Sequence, residues 1–290
     1  MNKIFTMPKN TKIDYINDID GIIVGLKDYA IGINLLLTIE EIEQLKEDYN
    51  DKELFVVINK NLENKDINYI EKILCKLDDI NINGVFFYDL AILLIKNKYN
   101  LNIDLVWNQS HMVTNYNTCN YYYDEGVKYA LLSSEITVDE MNEIKNNSKI
   151  IPFIYIFGKN IIAHSKRCLV SNYFNHFAIN KDKDNYEIEE KVSNKQYEII
   201  EGDLGTTVRC KDLLNGINAI YDLKDIGDNY FIVDEVIDDN FIDILNVIKD
   251  SINGGNKDIN YKTMYNIINS DYEGFFYKKT IYKVKKDEKN

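Results

Sequence analysis

Residues 54–88, LFVVINKNLENKDINYIEKILCKLDDININGVFFY, decide how the chain folds. The segment opens on Phe55-Val56-Val57-Ile58 and closes on Val85-Phe86-Phe87, two short runs that are apolar on both faces of an extended backbone. Between them Ile67, Ile70, Ile73, Leu74 and Leu77 recur at helical period. A strand that is apolar on both faces has to be covered on both sides, and a helix joining two such strands lets them lie parallel.

The same alternation extends in both directions. Further β-rich runs are Lys3 to Thr6, Gly21 to Leu26, Ile103 to Trp107, Tyr129 to Ser133, Ile150 to Phe157 and Tyr230 to Val233. Helical period returns at Ile39, Ile42, Leu45 and Tyr49, at Val138, Met141 and Ile144, and at Phe241, Ile244, Leu245 and Ile248. Thr38-Ile39-Glu40-Glu41 and Thr137-Val138-Asp139-Glu140 read as capping boxes. Strands alternating with helices in this number predict an α/β fold, a (β/α)8 TIM-like barrel whose ligand face lies at the C-terminal strand ends. Polar residues there are Lys27, Asp28, Asn59, Asp89, Asn108, Ser134, Glu135, Gly158, Asp234 and Glu235. Each is equally suited to starting a loop or capping a helix.

The seventh and eighth strands are separated by a long stretch of weak periodicity, which predicts a β-rich insertion at about 175–215 lying over the ligand face. The barrel domain is thus expected over 1–252. Ile252-Asn253-Gly254-Gly255-Asn256 reads as a linker to a segment 253–290 holding one helix, about Asn260 to Asn269, and a lysine-rich tail.

With 45% apolar and 28% charged residues, the 290-residue chain has the composition of a globular protein. Asp and Glu number 47 against 34 Lys and Arg, a net charge of -13 that disfavours nucleic-acid binding by the chain alone. The four cysteines, Cys75, Cys119, Cys168 and Cys210, form no C-x-x-C pair, which fits a reducing compartment. Met1 to Pro8 lacks the apolar core of a signal peptide, and no apolar run is long enough to span a bilayer. A cytoplasmic protein without a membrane partner is expected. His111, His164 and His176 share no i, i+4 spacing, so no metal site is read from them.

The densest polar constellation is Gly158-Lys159-Asn160-Ile161-Ile162-Ala163-His164-Ser165-Lys166-Arg167-Cys168-Leu169-Val170-Ser171. Only two arginines occur, Arg167 and Arg209. A guanidinium beside a thiol favours thiolate and can clamp a small anionic ligand, so Cys168 is open to three roles: metal ligand, nucleophile or packed residue. The segment resembles the signature G-A-x-C-x-x-x-S-G-R-C-x-x-S of the collagenase-like peptidases, family U-32, with Gly158, Ser165, Arg167, Cys168 and Ser171 on matching positions. Gly21 to Ala30, Asn81 to Leu90, Thr114-Asn115 and Gly126 to Ile136 resemble the family's other units in order.

The resemblance implies either a peptidase or a hydroxylation factor for RNA, in particular tRNA uridine, in which this short chain is an accessory subunit of a longer homologue. A non-catalytic ligand-binding barrel is the third reading. Some members hold an iron–sulfur cluster on four cysteines; here Ile161 stands in place of the first, and no cofactor is expected. Cys168 and Cys210 would be the ligands if a cluster exists. Gly32, Ser134 and Ile232-Val233-Asp234-Glu235-Val236 replace positions that are cationic in the family. The expected site is a barrel mouth built from Arg167, Cys168, Ser165, Glu135, Asp234, Asp89 and Asn115, with Arg167 paired to Glu135, Asp234 or an anionic ligand. Glu135 and Asp234 are candidates for acid and base if one is desolvated, and equally for holding Arg167 in place.

Overall fold

The computed structural model describes residues 1–191, 194–237 and 239–279. In chain order the strands are β1 Asn2–Met7, β2 Gly21–Leu26, β3 Leu36–Leu37, β4 Glu53–Ile58, β5 Gly84–Phe87, β6 Asp104–Trp107, β7 Tyr129–Leu131 and β8 Ile151–Gly158. Then come β9 Ile161–Ser165, β10 Asn185–Glu189, β11 Gln196–Gly202, β12 Gly205–Cys210, β13 Leu214–Asn215 and β14 Asn229–Asp234. Strands β1, β2, β4, β5, β6, β7, β8 and β14 pair in parallel and close on themselves, because β1 bonds both β14 and β2. This is the eight-stranded (β/α) barrel expected from the alternation of buried strands and helical segments, and all eight anticipated runs are its staves.

Period-2 alternation sorts each stave between two layers. Ile22, Val24, Val56, Ile58, Val85, Phe87, Leu105 and Trp107 face outward into the surrounding helices. Phe5, Phe55, Phe86, Tyr129, Phe153 and Tyr230 face inward and fill the lower barrel with aromatic rings. Phe153 is fully buried at the centre of this plug, its ring centroid 5.1 Å from Phe5, 5.2 Å from Phe55 and 4.9 Å from Phe86. A Cβ on Gly84 would lie 2.6 Å from the Phe55 ring, and one on Gly21 would overlap Phe5. Glycine at the start of β2 and β5 is therefore what admits rings of this size.

Both anticipated capping boxes form, at the starts of Ile39–Asp48 and Val138–Asn147, with Thr38 accepting from the Glu41 amide and Thr137 from the Glu140 amide. The helices Ala91–Tyr99 and Ile217–Leu223 were not legible, being too short to establish a period.

Two boundaries differ from expectation. The insertion is an antiparallel sheet in the order β10-β11-β12-β9, and it begins at Ile161 rather than near 175. Its first strand leaves β8 after only Lys159 and Asn160, so the signature segment from Ile161 on belongs to the insertion, and only Gly158 stays on the rim of the barrel. The segment from 253 is also no free appendage. Its helix Lys257–Ile268 packs on the barrel's outer layer through Met264, and the Asn260 amide donates to Asp250 at 2.8 Å and to the Tyr221 hydroxyl at 3.0 Å. Beyond it Phe276 is buried, and the carbonyls of Tyr272 and Phe276 accept from the amides of Asn215 at 2.8 Å and Val138 at 2.9 Å. The lysine-rich end, 280–290, lies outside the described residues.

Candidate active site at the barrel mouth

Inward alternation carries β14 from Tyr230 through Ile232 to Asp234, so a carboxyl group stands directly above the aromatic plug. Asp234 is 5% exposed. Its Oδ1 accepts from the Asn34 amide at 2.8 Å and its Oδ2 from the Tyr155 hydroxyl at 2.9 Å. Tyr155 reaches it by the same rule, two residues beyond Phe153 on β8. The pairing of β8 with β14 slips between Ile232↔Tyr155 and Val233↔Phe157, an irregularity that re-aims side chains beside the carboxyl. Gly158 ends β8 with φ +135°, and a Cβ there would sit 2.7 Å from that of Asp234. The signature glycine thus keeps the space over the carboxyl open.

Burial pushes the Asp234 carboxyl up to about 7; the Tyr155 hydrogen bond, the charges of Arg209 and Lys9 and the Asn34 amide pull the other way. Burial, then the charge of Asp234, raise the Tyr155 phenol well above its ordinary range. The insertion roofs the mouth with Ile161, Ile200, Thr207 and Arg209, enclosing a cavity of about 450 Å3. Arg209 Nε donates to Glu198 at 2.8 Å, and Lys159 pairs with the same carboxylate. Burial opposes the Glu198 charge, but these two cations outweigh it and hold the carboxyl below its usual value. A carboxyl poised near neutrality in a cavity of this size can give or take a proton on a small planar ligand.

The other anticipated residues are placed apart from this centre. Glu135 is exposed, 3.2 Å from His111 Nδ1, and is not brought to Asp234. Asp89 accepts from the amides of Leu62 and Ala91, both at 3.0 Å, and organises a loop. Asn115 caps the helix Tyr116–Asp124, accepting from the Thr118 amide at 2.9 Å. Ser165 Oγ accepts from the Arg167 amide at 3.2 Å. Arg167 and Cys168 are both exposed on the outside of the insertion. The Arg167 carbonyl, not its guanidinium, makes the local contacts, accepting from the Leu169 amide at 2.9 Å and competing with Glu201 for the single Thr206 hydroxyl proton, 2.8 Å from Thr206 Oγ1. The pairing of Arg167 with Glu135 or Asp234 does not occur, because the chain has already turned into β9 and away from the mouth. Arg209 occupies the position expected of Arg167.

Signature Ser171 has a structural partner in Glu201, which also accepts from the Val170 amide at 2.8 Å, Lys181 at 2.9 Å and Thr206 Oγ1 at 3.1 Å. Burial works against the Glu201 charge, but hydrogen bonds from Ser171, Lys181 and Thr206 bring the carboxyl down to about 2. This ionised group anchors the start of the helix Leu169–His176.

The cysteines do not fit a four-thiolate cluster. Cys168 lies by Thr206 at one end of β12 and Cys210 ends the other, roughly 13 Å along an extended strand. Cys210 is buried 3.5 Å from the Tyr272 hydroxyl, Cys119 is in the core with burial pushing its thiol up to about 12, and Cys75 is on the helix Ile67–Asp79. Among the described residues no three His, Cys, Asp or Glu side chains gather as a metal site. Nor is any described helix long and apolar enough to cross a membrane.

Tyr155 and Asn34 were missed by sequence reasoning, although a phenol at an inward position of an otherwise apolar strand is a readable signal. Arg209 had none, since only the long-range pairing Arg209↔Ile161 carries it to the mouth.

Fold and site together define an α/β barrel with a roofed cavity at its mouth, bounded by a buried carboxyl group. Residues 8–280 match Peptidase family U32, and the chain belongs to that family. It is similar to tRNA hydroxylation protein P2 of Bacillus subtilis, 26% identical over 63% of this chain and 62% of that protein. It is also similar to tRNA hydroxylation protein P1 of the same organism, 26% identical over 53% of this chain and 37% of that one. An uncharacterized protease of Methanocaldococcus jannaschii is 28% identical over 56% of this chain and 41% of its own length. The chain spans less than two thirds of the length of these curated relatives.

Proposed function

We propose that this chain is the shorter subunit of a tRNA-hydroxylating pair in the cytoplasm, binding a uridine at the barrel mouth while a longer homologue completes the assembly. Similarity to the two Bacillus hydroxylation proteins carries the reading. The match spans nearly equal shares of this chain and of P2, so those two are of similar length, whereas P1 is longer. The geometry supports a base-sized ligand: the cavity of about 450 Å3 suits a nucleoside, and a carboxyl near neutrality faces either the N–H or the carbonyl edge of a uracil. A net charge of -13 weakens the hold of this chain on a whole tRNA, which is consistent with a second subunit adding to it.

The peptidase reading finds no support at this site. Among the described residues no Ser or Cys side chain is hydrogen-bonded to a histidine, the arrangement that activates such a nucleophile. The test is nucleoside mass spectrometry of tRNA from cells lacking this chain, complemented with wild type or with Asp234→Asn. Loss of hydroxylated uridine, restored by wild type and not by the variant, is expected. Unchanged hydroxylated uridine in cells lacking the chain would refute the assignment.

A further inference from the structure

From Gly158 to Lys181 the chain contains no Asp or Glu, although it carries 47 elsewhere. The same interval holds Lys159, Lys166, Arg167 and Lys181, His164 and His176, and the aromatics Tyr173, Phe174 and Phe177. Lys159 and Lys181 are spent inside the fold, on Glu198 and Glu201. Lys166 and Arg167 are exposed, and among the described residues no carboxylate pairs with the Arg167 guanidinium. Lys166 stands on the wall of a groove of about 640 Å3 that shares Asn59, Asn108 and Ser134 with the mouth cavity, with Lys60 also lining it. The groove's acids are Glu63 and Asp203; Glu63 pairs with Lys65 at 2.8 Å and more distantly with Lys166 at 4.0 Å, and Lys60 lies 3.9 Å from the buried Asp66, long contacts that leave both ammonium groups donors for a further anion.

Beyond Arg167 the helix Leu169–His176 turns two large rings to solvent. Tyr173 is 58% and Phe177 55% exposed, with centroids 4.8 Å apart. Cations tracking a groove beside exposed rings are what single-stranded RNA needs: phosphates meet the cations and bases stack on the rings. Helical RNA would use the cations but has no unstacked base for the rings.

We infer that the acid-free face 158–181 docks the single-stranded loop of an RNA, with phosphates on Lys60, Lys166 and Arg167 and bases on Tyr173 and Phe177, so that a neighbouring base enters the mouth. The inference rests on the tRNA reading and adds to it the surface that receives the RNA. At about 0.1 M salt charges beyond ~10 Å are screened, so RNA on this face responds to these cations more than to the acidic barrel behind them.

The experiment is fluorescence anisotropy of the full chain with a labelled RNA stem-loop carrying uridine in its loop, and with the same stem as a plain duplex, at about 0.1 M salt. The stem-loop should bind more tightly than the duplex. Each lost single-strand phosphate contact costs about fivefold at that salt, so Lys166→Glu with Arg167→Glu should weaken binding by about 25-fold or more. Tyr173→Ala with Phe177→Ala should weaken it by about tenfold or more. Lys149→Glu, just ahead of β8 at the end of the barrel opposite the mouth, should not change it, and matched melting curves show that the variants fold. Absence of stem-loop binding by wild type, or equal binding by the double charge variant, would overturn the inference. So would variants that keep RNA affinity but lose capture by the longer homologue, which would make the face a protein interface. If loss of the chain still lowers hydroxylated uridine in cells while the variants bind RNA normally, the surface is wrong and the function stands.

Discussion

Replacing Asp234 by Asn should make the protein more stable above neutrality, although it removes the central group of the site. The carboxyl titrates near 4 in an unfolded chain and at about 7 in the fold, where burial disfavours its charge. Below pH 4 both states hold the proton and the group is neutral to stability. Between the two values the unfolded chain releases its proton while the folded one keeps it, so stability falls as pH rises, by about 1.4 kcal/mol per unit. Above 7 both are ionised and the loss is constant, at about 4 kcal/mol. From about pH 5 to about pH 8 this group alone should cost the wild type about 3 kcal/mol that the Asn variant does not lose. Asn keeps an oxygen and an amide for Asn34 and Tyr155, so the hydrogen-bonded frame can persist. Urea denaturation of both proteins at the two pH values gives the difference directly, with every other titrating group cancelling. Parallel pH dependence within about 0.5 kcal/mol would show that Arg209 and Lys9 keep Asp234 ionised in the fold, and the reasoning from burial would fail.

Glu201→Gln should destabilise the insertion by about 2 kcal/mol, because the amide replaces a charged acceptor shared by Ser171, Val170 and Lys181. Hydrogen exchange should show faster exchange across Leu169–His176 with the barrel amides unchanged; equal acceleration everywhere would contradict it. Gly158→Ala should cost about 3 kcal/mol in urea denaturation, combining a positive φ with a Cβ pressed onto Asp234. A cost below about 0.5 kcal/mol would mean that the space over the carboxyl is not as tight as described.

The barrel was legible because its staves are local. Runs such as Phe55 to Ile58 announce their burial on both faces, and the capping boxes mark helix starts within four residues. Asp234 was legible for the same reason, as the polar residue ending an apolar strand. A β-rich insertion was legible, but its start was not, since Ile161 to Ser165 is an exposed antiparallel strand whose alternation is too weak to read and whose partner, β12, lies some forty residues away. That pairing decides which of two equally scarce arginines enters the mouth. The signature drew attention to Arg167, whereas its conspicuous residues mostly build the insertion: Ser165 and Ser171 hold the turn and helix, and Gly158 clears the site.

The closure of the barrel also has a consequence for how the protein is made. Strand β1 is made before the other staves, and its register with β2 is short, Phe5↔Gly21 and Thr6↔Ile22. Its full-length partner is β14, from Asn2↔Asn229 to Met7↔Asp234. Until residue 234 has been synthesised the barrel cannot close, and β1 and most of β8 lack the strand that covers their edges, a situation prone to unwanted pairing. Asp234 arrives on the closing strand itself. The cavity therefore comes into being in the same step that seals the barrel, and a chain arrested before that point can bind nothing at its mouth.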